Sequence, residues 1–541
     1  MEYFTFDDFV DKYLLEYYSS NPAAASSLGL HEYDGLLSDV SEEGFELNLR
    51  ALRSLSEEIL TYDRKILTEF QKYEYDLCKW SLDSSIFEYE VIQSHKNNPM
   101  FYVSPFSNIG NYLNREYEEF DFRAESILLI MKKIPAILNE GKNNLNKVCP
   151  AIFCKYGIEF AQGYISFFEK ELAEVIRFRA NDESIVAQYA KLCKSTVKSI
   201  RDYIKFIEKE LMPFADESYR LGEVKFLKML EVKEHVKTDL KKLRTIGENE
   251  LASLLKMRKK LLKDNPKLKE SSHQAAHPKA DSLVQETDDC LKELVEFITE
   301  KEIIDIPENL NCIVKPLPKY MGFGFAAMDT AGAYEDSDES FYFVNVPPPD
   351  WSEEKTEEWM SMFNYNNLKM ISIHEAFPGH YLHFLYANSN NSKMSKICMS
   401  YSYVEGWAHY CEELMIEMGF EEKNSHMKLS YIDEALVRCC RYLVAIGLHV
   451  DEMTIENAKE FFMENSFLSE VNALQEAERG AFDPGYINYT LGKIMLRKLK
   501  KKFFAKFKDK YTLNQFHQKI VSIGIPTFDI AEKYILQSKV I

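Results

Sequence analysis

His374, Glu375 and His380, followed by Glu405, are the residues of this 541-residue chain whose types and spacing can do chemistry. Two imidazoles and one carboxylate are the protein ligands of a catalytic zinc centre, with a fourth position open to water and a second carboxylate as base. Neutral imidazoles hold the metal without cancelling its charge, so that the water ionises near neutral pH. His374 and His380 are therefore the expected imidazole ligands and Glu375 the base. Glu405 is the expected carboxylate ligand, 25 residues beyond His380 and on the next helix.

The spacing departs from the H-E-x-x-H pattern, in which histidines four apart share a helix face. Six residues separate His374 from His380, and a regular helix would turn them roughly 120° apart. Pro378 has no N–H for the carbonyl of His374, so the helix breaks between them, and Gly379 tolerates unusual backbone angles. A bulged turn of this kind is expected to return both imidazoles to one side. Other ligand pairs remain open: His380 and His383 are three apart, and Glu405 and His409 four apart.

A peptide-cleaving site also needs a donor for the developing oxyanion. Tyr489, Tyr486, His449 and Arg441 are candidates, near the break at Asp483-Pro484-Gly485. A terminal carboxylate would need a cation, for which Arg438, Arg441, Arg479 and Lys493 are available.

The elements that must position these residues are helical almost throughout. Segments 45–80, 124–147, 158–175, 184–215, 223–264 and 284–301 carry apolar residues at three-to-four spacing. Residues 264–283 are polar, hold Pro266 and Pro278 and read as a loop, whose His273 and His277 are solvated rather than ligands. Residues 311–316 and 339–346 read as two short strands, separated by the Gly- and Ala-rich stretch 321–333. They form either a small structural hairpin or an edge onto which an extended peptide adds. In the second case Tyr342, Val344 and Asn345 contact substrate, together with Tyr486 and Arg479. The lysine run near 498–510 alternates with Leu496, Leu499, Phe503 and Phe507 and reads as a solvated helix face.

Hydrophobic content of 46% with 28% charge is that of a folded globular protein. A net charge of -20 argues against nucleic acid and against anionic membrane surfaces as partners. No run approaches ~18 apolar residues, and the first residues lack a basic stretch followed by an apolar one. The ten cysteines show no C-x-x-C pair, so a cytoplasmic protein with reduced thiols is expected.

The chain resembles the family known as domain of unknown function 885, regarded as zinc metallopeptidases. The resemblance is carried by His374-Glu375-Ala376-Phe377-Pro378-Gly379-His380 and by Glu405-Gly406-Trp407-Ala408-His409-Tyr410. Weaker matches in the right order include Leu28 to Asp34, Arg123 to Leu145, Phe341 to Asn345, Arg441, Gly447 to His449, Tyr489 to Lys493, and Phe516-His517. It implies a mostly α, two-lobed metallopeptidase-like fold around a cleft, with one zinc per chain on His374, His380 and Glu405. It also implies that the spacing of six is the family's own. His383 and His409 depart from the usual residues at their positions and bring extra imidazoles near the metal. Many members resemble exported lipoproteins, a placement that does not carry over to a chain read without a leader.

The sequence thus predicts an N-terminal helical lobe over 1–300 and a catalytic lobe over 301–541, interleaved, with a small sheet near 311–346. The predicted function is zinc-dependent hydrolysis of short peptides. Hydrolysis of a non-peptide amide or ester, and a metal-bearing scaffold that binds peptides, are the rivals.

Overall fold

The computed structural model describes residues 5–268, 276–318, 326–349 and 351–537. The chain forms two compact units. The first comprises residues up to Tyr219 together with 331–338, and the second runs from Arg220 onward apart from that insertion. The division therefore falls at 219/220 and not at the expected 300/301. Helices after 220 have the same apolar periodicity as those before it, so texture does not tell which core they join.

In the first unit the principal helices are α1 (Phe6–Ser20), α2 (Glu42–Glu58), α3 (Glu69–Phe87), α4 (Phe120–Asn144), α5 (Ala151–Ser166) and α6 (Glu183–Phe206). The expected helix over 45–80 is two helices, because Thr68 starts α3 with a capping box closed by Gln71. α6 packs on α4 and α5 around a core that includes Ile127, Ile130, Ile134, Ile200 and Tyr203. The inserted strap 331–338 is clasped by the Leu28–Asp34 motif. Tyr334 donates its N–H to the Leu28 carbonyl at 2.7 Å, and His31 lies between Asp34 and Glu335 at 3.2 Å from each. Gly29 has φ +93, and a Cβ there would lie 2.5 Å from the Glu335 nitrogen, so only glycine fits.

The second unit contains α7 (Gly222–Glu234), α8 (Leu240–Asp264), α9 (Leu283–Glu300), β1 (Cys312–Pro316), β2 (Ala326–Asp329) and β3 (Ser340–Val344). There follow α10 (Glu353–Met362), α11 (Tyr365–Glu375), α12 (His380–Asn388), α13 (Tyr401–Glu417) and α14 (Ser425–Val450). The unit ends with α15 (Ile455–Ser466), α16 (Glu470–Phe482), α17 (Asn488–Phe507), α18 (Leu513–Ser522) and α19 (Phe528–Ile535). α14 is central: α7, α8, α11, α15, α16 and α17 all pack against it. No described helix is long and apolar enough to cross a membrane. Along α17, Leu496, Leu499 and Phe503 are buried while Lys498, Lys501 and Lys502 are exposed, as the periodicity predicts. His277 pairs with Glu357 at 2.9 Å; His273 and residues 321–325 lie outside the described residues.

The two expected strands are present, but they do not form a hairpin. The sheet order is β1-β3-β2, with β3 parallel to β1 and antiparallel to β2. β3 is thus the middle strand, and the Val344 carbonyl accepts from Leu317 N–H at 2.8 Å. The open edge expected at Tyr342, Val344 and Asn345 lies instead on the outer strands.

Two features lock the helices that matter for the site. Ser400 caps α13 by accepting from Tyr403 N–H at 3.2 Å. Behind the cap, the buried Glu234 carboxylate of α7 accepts from the hydroxyls of Ser400 and Ser402 at 2.6 Å each, and from Ser402 N–H at 3.1 Å. A negative charge at a helix N-terminus also complements its dipole. Further along, α13 and α17 cross backbone to backbone. A Cβ on Gly492 would lie 1.9 Å from the Ser402 carbonyl oxygen, and one on Gly406 would lie 2.4 Å from Gly492.

Gly492→Ala is therefore expected to force the helices apart and cost at least about 2 kcal/mol, read as a lowered thermal midpoint. Gly163→Ala, where a Cβ meets nothing within 4 Å, is the control and should not lower it.

Candidate metal centre

α11 ends at Glu375 and α12 begins at His380, so the break expected at Pro378-Gly379 is complete. Two N–H groups, those of Ala376 and Phe377, share the Ser372 carbonyl at 2.9 and 3.1 Å, and the chain then reverses into α12. Gly379 makes the reversal possible: a Cβ there would lie 1.8 Å from the His374 carbonyl oxygen. The Pro378 carbonyl accepts from the Trp407 indole N–H at 2.8 Å, which ties the turn to α13 beside Glu405.

The result brings His374 and His380 together with ring centroids 4.8 Å apart and planes at 87°. The Nε2 atoms of His374 and His380 lie 3.4 and 3.5 Å from the same Glu405 oxygen, Oε2. These separations are long for hydrogen bonds, and that buried oxygen has no hydrogen-bond partner. Ligand atoms at 2.0–2.1 Å from a tetrahedral zinc lie about 3.3–3.4 Å apart, so the two separations from Glu405 match such an ion, and all three ligand atoms lie within 4.8 Å of one another. Among the described residues, His374, His380 and Glu405 are the group of this kind that converges. His383 and His409 do not join it. The ring of His383 packs on Tyr403 and Trp407, and burial pushes its pKa down to about 3.

His409 instead serves a carboxylate that sequence reasoning missed. Glu412, two turns beyond Glu405 on α13, is fully buried. It accepts from His374 Nδ1–H at 2.7 Å, from His409 Nδ1–H at 3.0 Å and from Arg438 at 2.9 Å. Burial opposes its charge, yet Arg438 and the two histidines hold its carboxyl well below the usual range. An ionised Glu412 holds the His374 proton on Nδ1, so the neutral ring turns its Nε2 lone pair toward Glu405, the orientation a metal ligand requires. Burial likewise opposes charge on His374, yet Glu405 and Glu412 draw its pKa up to about 9. The pocket thus favours a positive charge at the triad.

The oxyanion candidates divide. Tyr489, in the first turn of α17, accepts from Arg479 at 3.1 Å, and its hydroxyl lies 3.5 Å from that of Tyr401, whose proton goes to Asp483 at 3.0 Å. Burial and then the Glu405 charge push its phenol up, which places it in the field of the triad. Tyr401 stands one turn before Glu405 on α13. Arg441 makes two bonds of 2.7 Å to Glu476 and lies under the rings of Tyr486 and Tyr489. The Tyr486 hydroxyl donates to Glu476. These residues frame the site, and Arg441 and Tyr486 are committed to Glu476. His449 bonds the Gly480 carbonyl at 2.9 Å and stacks with Phe226, which is helix packing. The Tyr342 hydroxyl meets Ser372 at 3.2 Å beneath α11, and the Asn345 carbonyl accepts from Trp359. Val344 is fully buried in β3. Glu375 is the last residue of α11, directly after His374.

A family model described as "Bacterial protein of unknown function (DUF885)" matches residues 22–535. No curated protein matches the chain. Solved structures are similar to it, among them the following two. One, named as a lipoprotein of unknown function from Shewanella oneidensis, has a TM-score of 0.80 at 21% identity, covering 99% of this chain and 100% of that one. The other, named as a lipoprotein from Colwellia psychrerythraea, has a TM-score of 0.82 at 17% identity, covering 98% of each. At these identities the likeness carries the fold.

The geometry predicts about one divalent ion per chain by elemental analysis of protein purified without chelator, and its loss in Glu405→Ala. Glu412→Gln should keep the ligands but weaken zinc affinity by about 10- to 100-fold. An unchanged metal content in Glu405→Ala would contradict the assignment.

Proposed function

The chain belongs to the DUF885 family, and from that premise we propose that it is a zinc-dependent metallopeptidase acting on short peptides. The observation that carries this reading is the convergence of His374 Nε2, His380 Nε2 and Glu405 Oε2 without a fourth protein ligand among the described residues. A structural zinc site closes its sphere with four protein ligands, whereas a catalytic one leaves a position for water. His383 and His409 were the residues able to close it, and both lie outside the converging group, His383 with its ring on Trp407 and His409 with Nδ1 on Glu412.

Zinc held by His374, His380 and Glu405 would supply Lewis acidity, lowering the pKa of a water and polarising the scissile carbonyl. Glu375 accepts the proton of the attacking water and passes it to the leaving amine. Glu412 keeps His374 in its ligating tautomer and Arg438 keeps Glu412 ionised. The Tyr489 oxygen already accepts from Arg479, so its own proton is left to donate to the developing oxyanion. The side chains of His374, His380 and Glu405 are 8%, 12% and 15% exposed. So narrow an access admits a thin, extended chain and excludes a folded protein surface.

Zinc-loaded protein is expected to degrade a diverse mixture of short peptides, followed by mass spectrometry. Glu375→Gln should lower kcat/KM about 1,000-fold with metal content unchanged. A mixture left intact by the wild type, or cut equally by the variant, would overturn the reading.

A further inference from the structure

Four cations surround the second half of the site, and three are committed. Arg438 pairs with Glu412 at 2.9 Å and Glu434 at 2.6 Å. Arg441 is held by both oxygens of Glu476. Lys493 pairs with Glu250 at 3.1 Å. Arg479 differs: among the described residues it has no carboxylate partner. Its one hydrogen bond goes to the Tyr489 hydroxyl, and its guanidinium lies 4.9 Å from the Tyr486 ring centroid. Asp483, four residues on, is turned to the Tyr401 hydroxyl at 3.0 Å.

A guanidinium offers five N–H donors in a planar fork that matches a carboxylate. Arg479 uses one of them, and the residue is half-buried. An arginine set among tyrosines, beside a neutralised Arg441, in the field of Asp483 and Glu476 but hydrogen-bonded to neither among the described residues, has donors left for a counter-ion from a ligand. Its place fits one kind of ligand. Arg479 bonds Tyr489, Tyr489 meets Tyr401, and Tyr401 stands one turn before Glu405. A peptide advances at most about 3.6 Å per residue, so a carboxylate on Arg479 leaves a carbonyl one or two residues away within reach of the Tyr489 proton.

We propose that Arg479 binds the free C-terminal carboxylate of the peptide, which makes the enzyme a carboxypeptidase removing one or two residues. This rests on the peptidase reading of the metal site, and two readouts separate their fates. An N-acetylated tetrapeptide pool is made once with free C-termini and once as C-terminal amides. The zinc-loaded wild type should shorten the free acids from the C-terminus about 100-fold faster than the amides. Arg479→Gln should lose that preference with zinc content intact, and Arg479→Lys should regain part of it. In parallel, zinc-loaded Glu375→Gln should retain free acids over amides by a similar factor on ultrafiltration, whatever the rate of cleavage. Equal retention of the two pools, or equal cleavage of both by the wild type, overturns the carboxylate site. Preferential retention without any cleavage supports the carboxylate site and overturns the peptidase reading.

Discussion

A carboxylate with no exposure to water must be surrounded by charge and hydrogen-bond donors, and Glu412 organises the second unit around that requirement. Its partners come from three helices: His374 from α11, His409 from α13 itself and Arg438 from α14. Leaving such a charge unpaired would cost several kcal/mol, so the helices that carry the site cannot drift apart without that penalty. The same carboxylate sets which nitrogen of His374 bears the proton. Packing and chemistry are thereby decided by one side chain.

Around it, close backbone approaches do what longer side chains could not. Gly379 lets the turn fold back onto the His374 carbonyl, and Gly406 with Gly492 lets α13 and α17 touch. The first places the two imidazoles on one side of a broken helix. The second holds Tyr489 at the height of Glu405. Interiors of this density transmit small displacements, so a single methyl group at any of these glycines is felt at the site.

Much of this was legible in the sequence. The three side chains that converge, the break at Pro378-Gly379 and the helical fold with a small sheet follow from residue types and spacing. Glu412 did not, because a lone acidic residue on a helix reads as a solvated one until its partners from other helices are known. The stripe Glu405, His409, Glu412 at helical spacing was the available signal. β2 escaped because Ala326-Ala327-Met328-Asp329 lacks the branched and aromatic residues that mark strands. The middle position of β3 had a signal in the unbroken apolar run Phe341-Tyr342-Phe343-Val344, the mark of a strand covered on both faces, and Ser340 to Val344 are buried throughout. His449 looked chemical in sequence and packs against Gly480 and Phe226 instead, since a histidine's use depends on neighbours from distant segments.

The central claim is an ion held by three protein ligands with a position left open. X-ray absorption at the zinc edge of the metal-loaded protein tests it most directly. The account predicts four-coordinate zinc with two imidazole nitrogens and two oxygens at about 2.0–2.1 Å, one oxygen from Glu405 and one from water. A third imidazole or a thiolate closing the sphere, or a protein that retains no zinc, would contradict it.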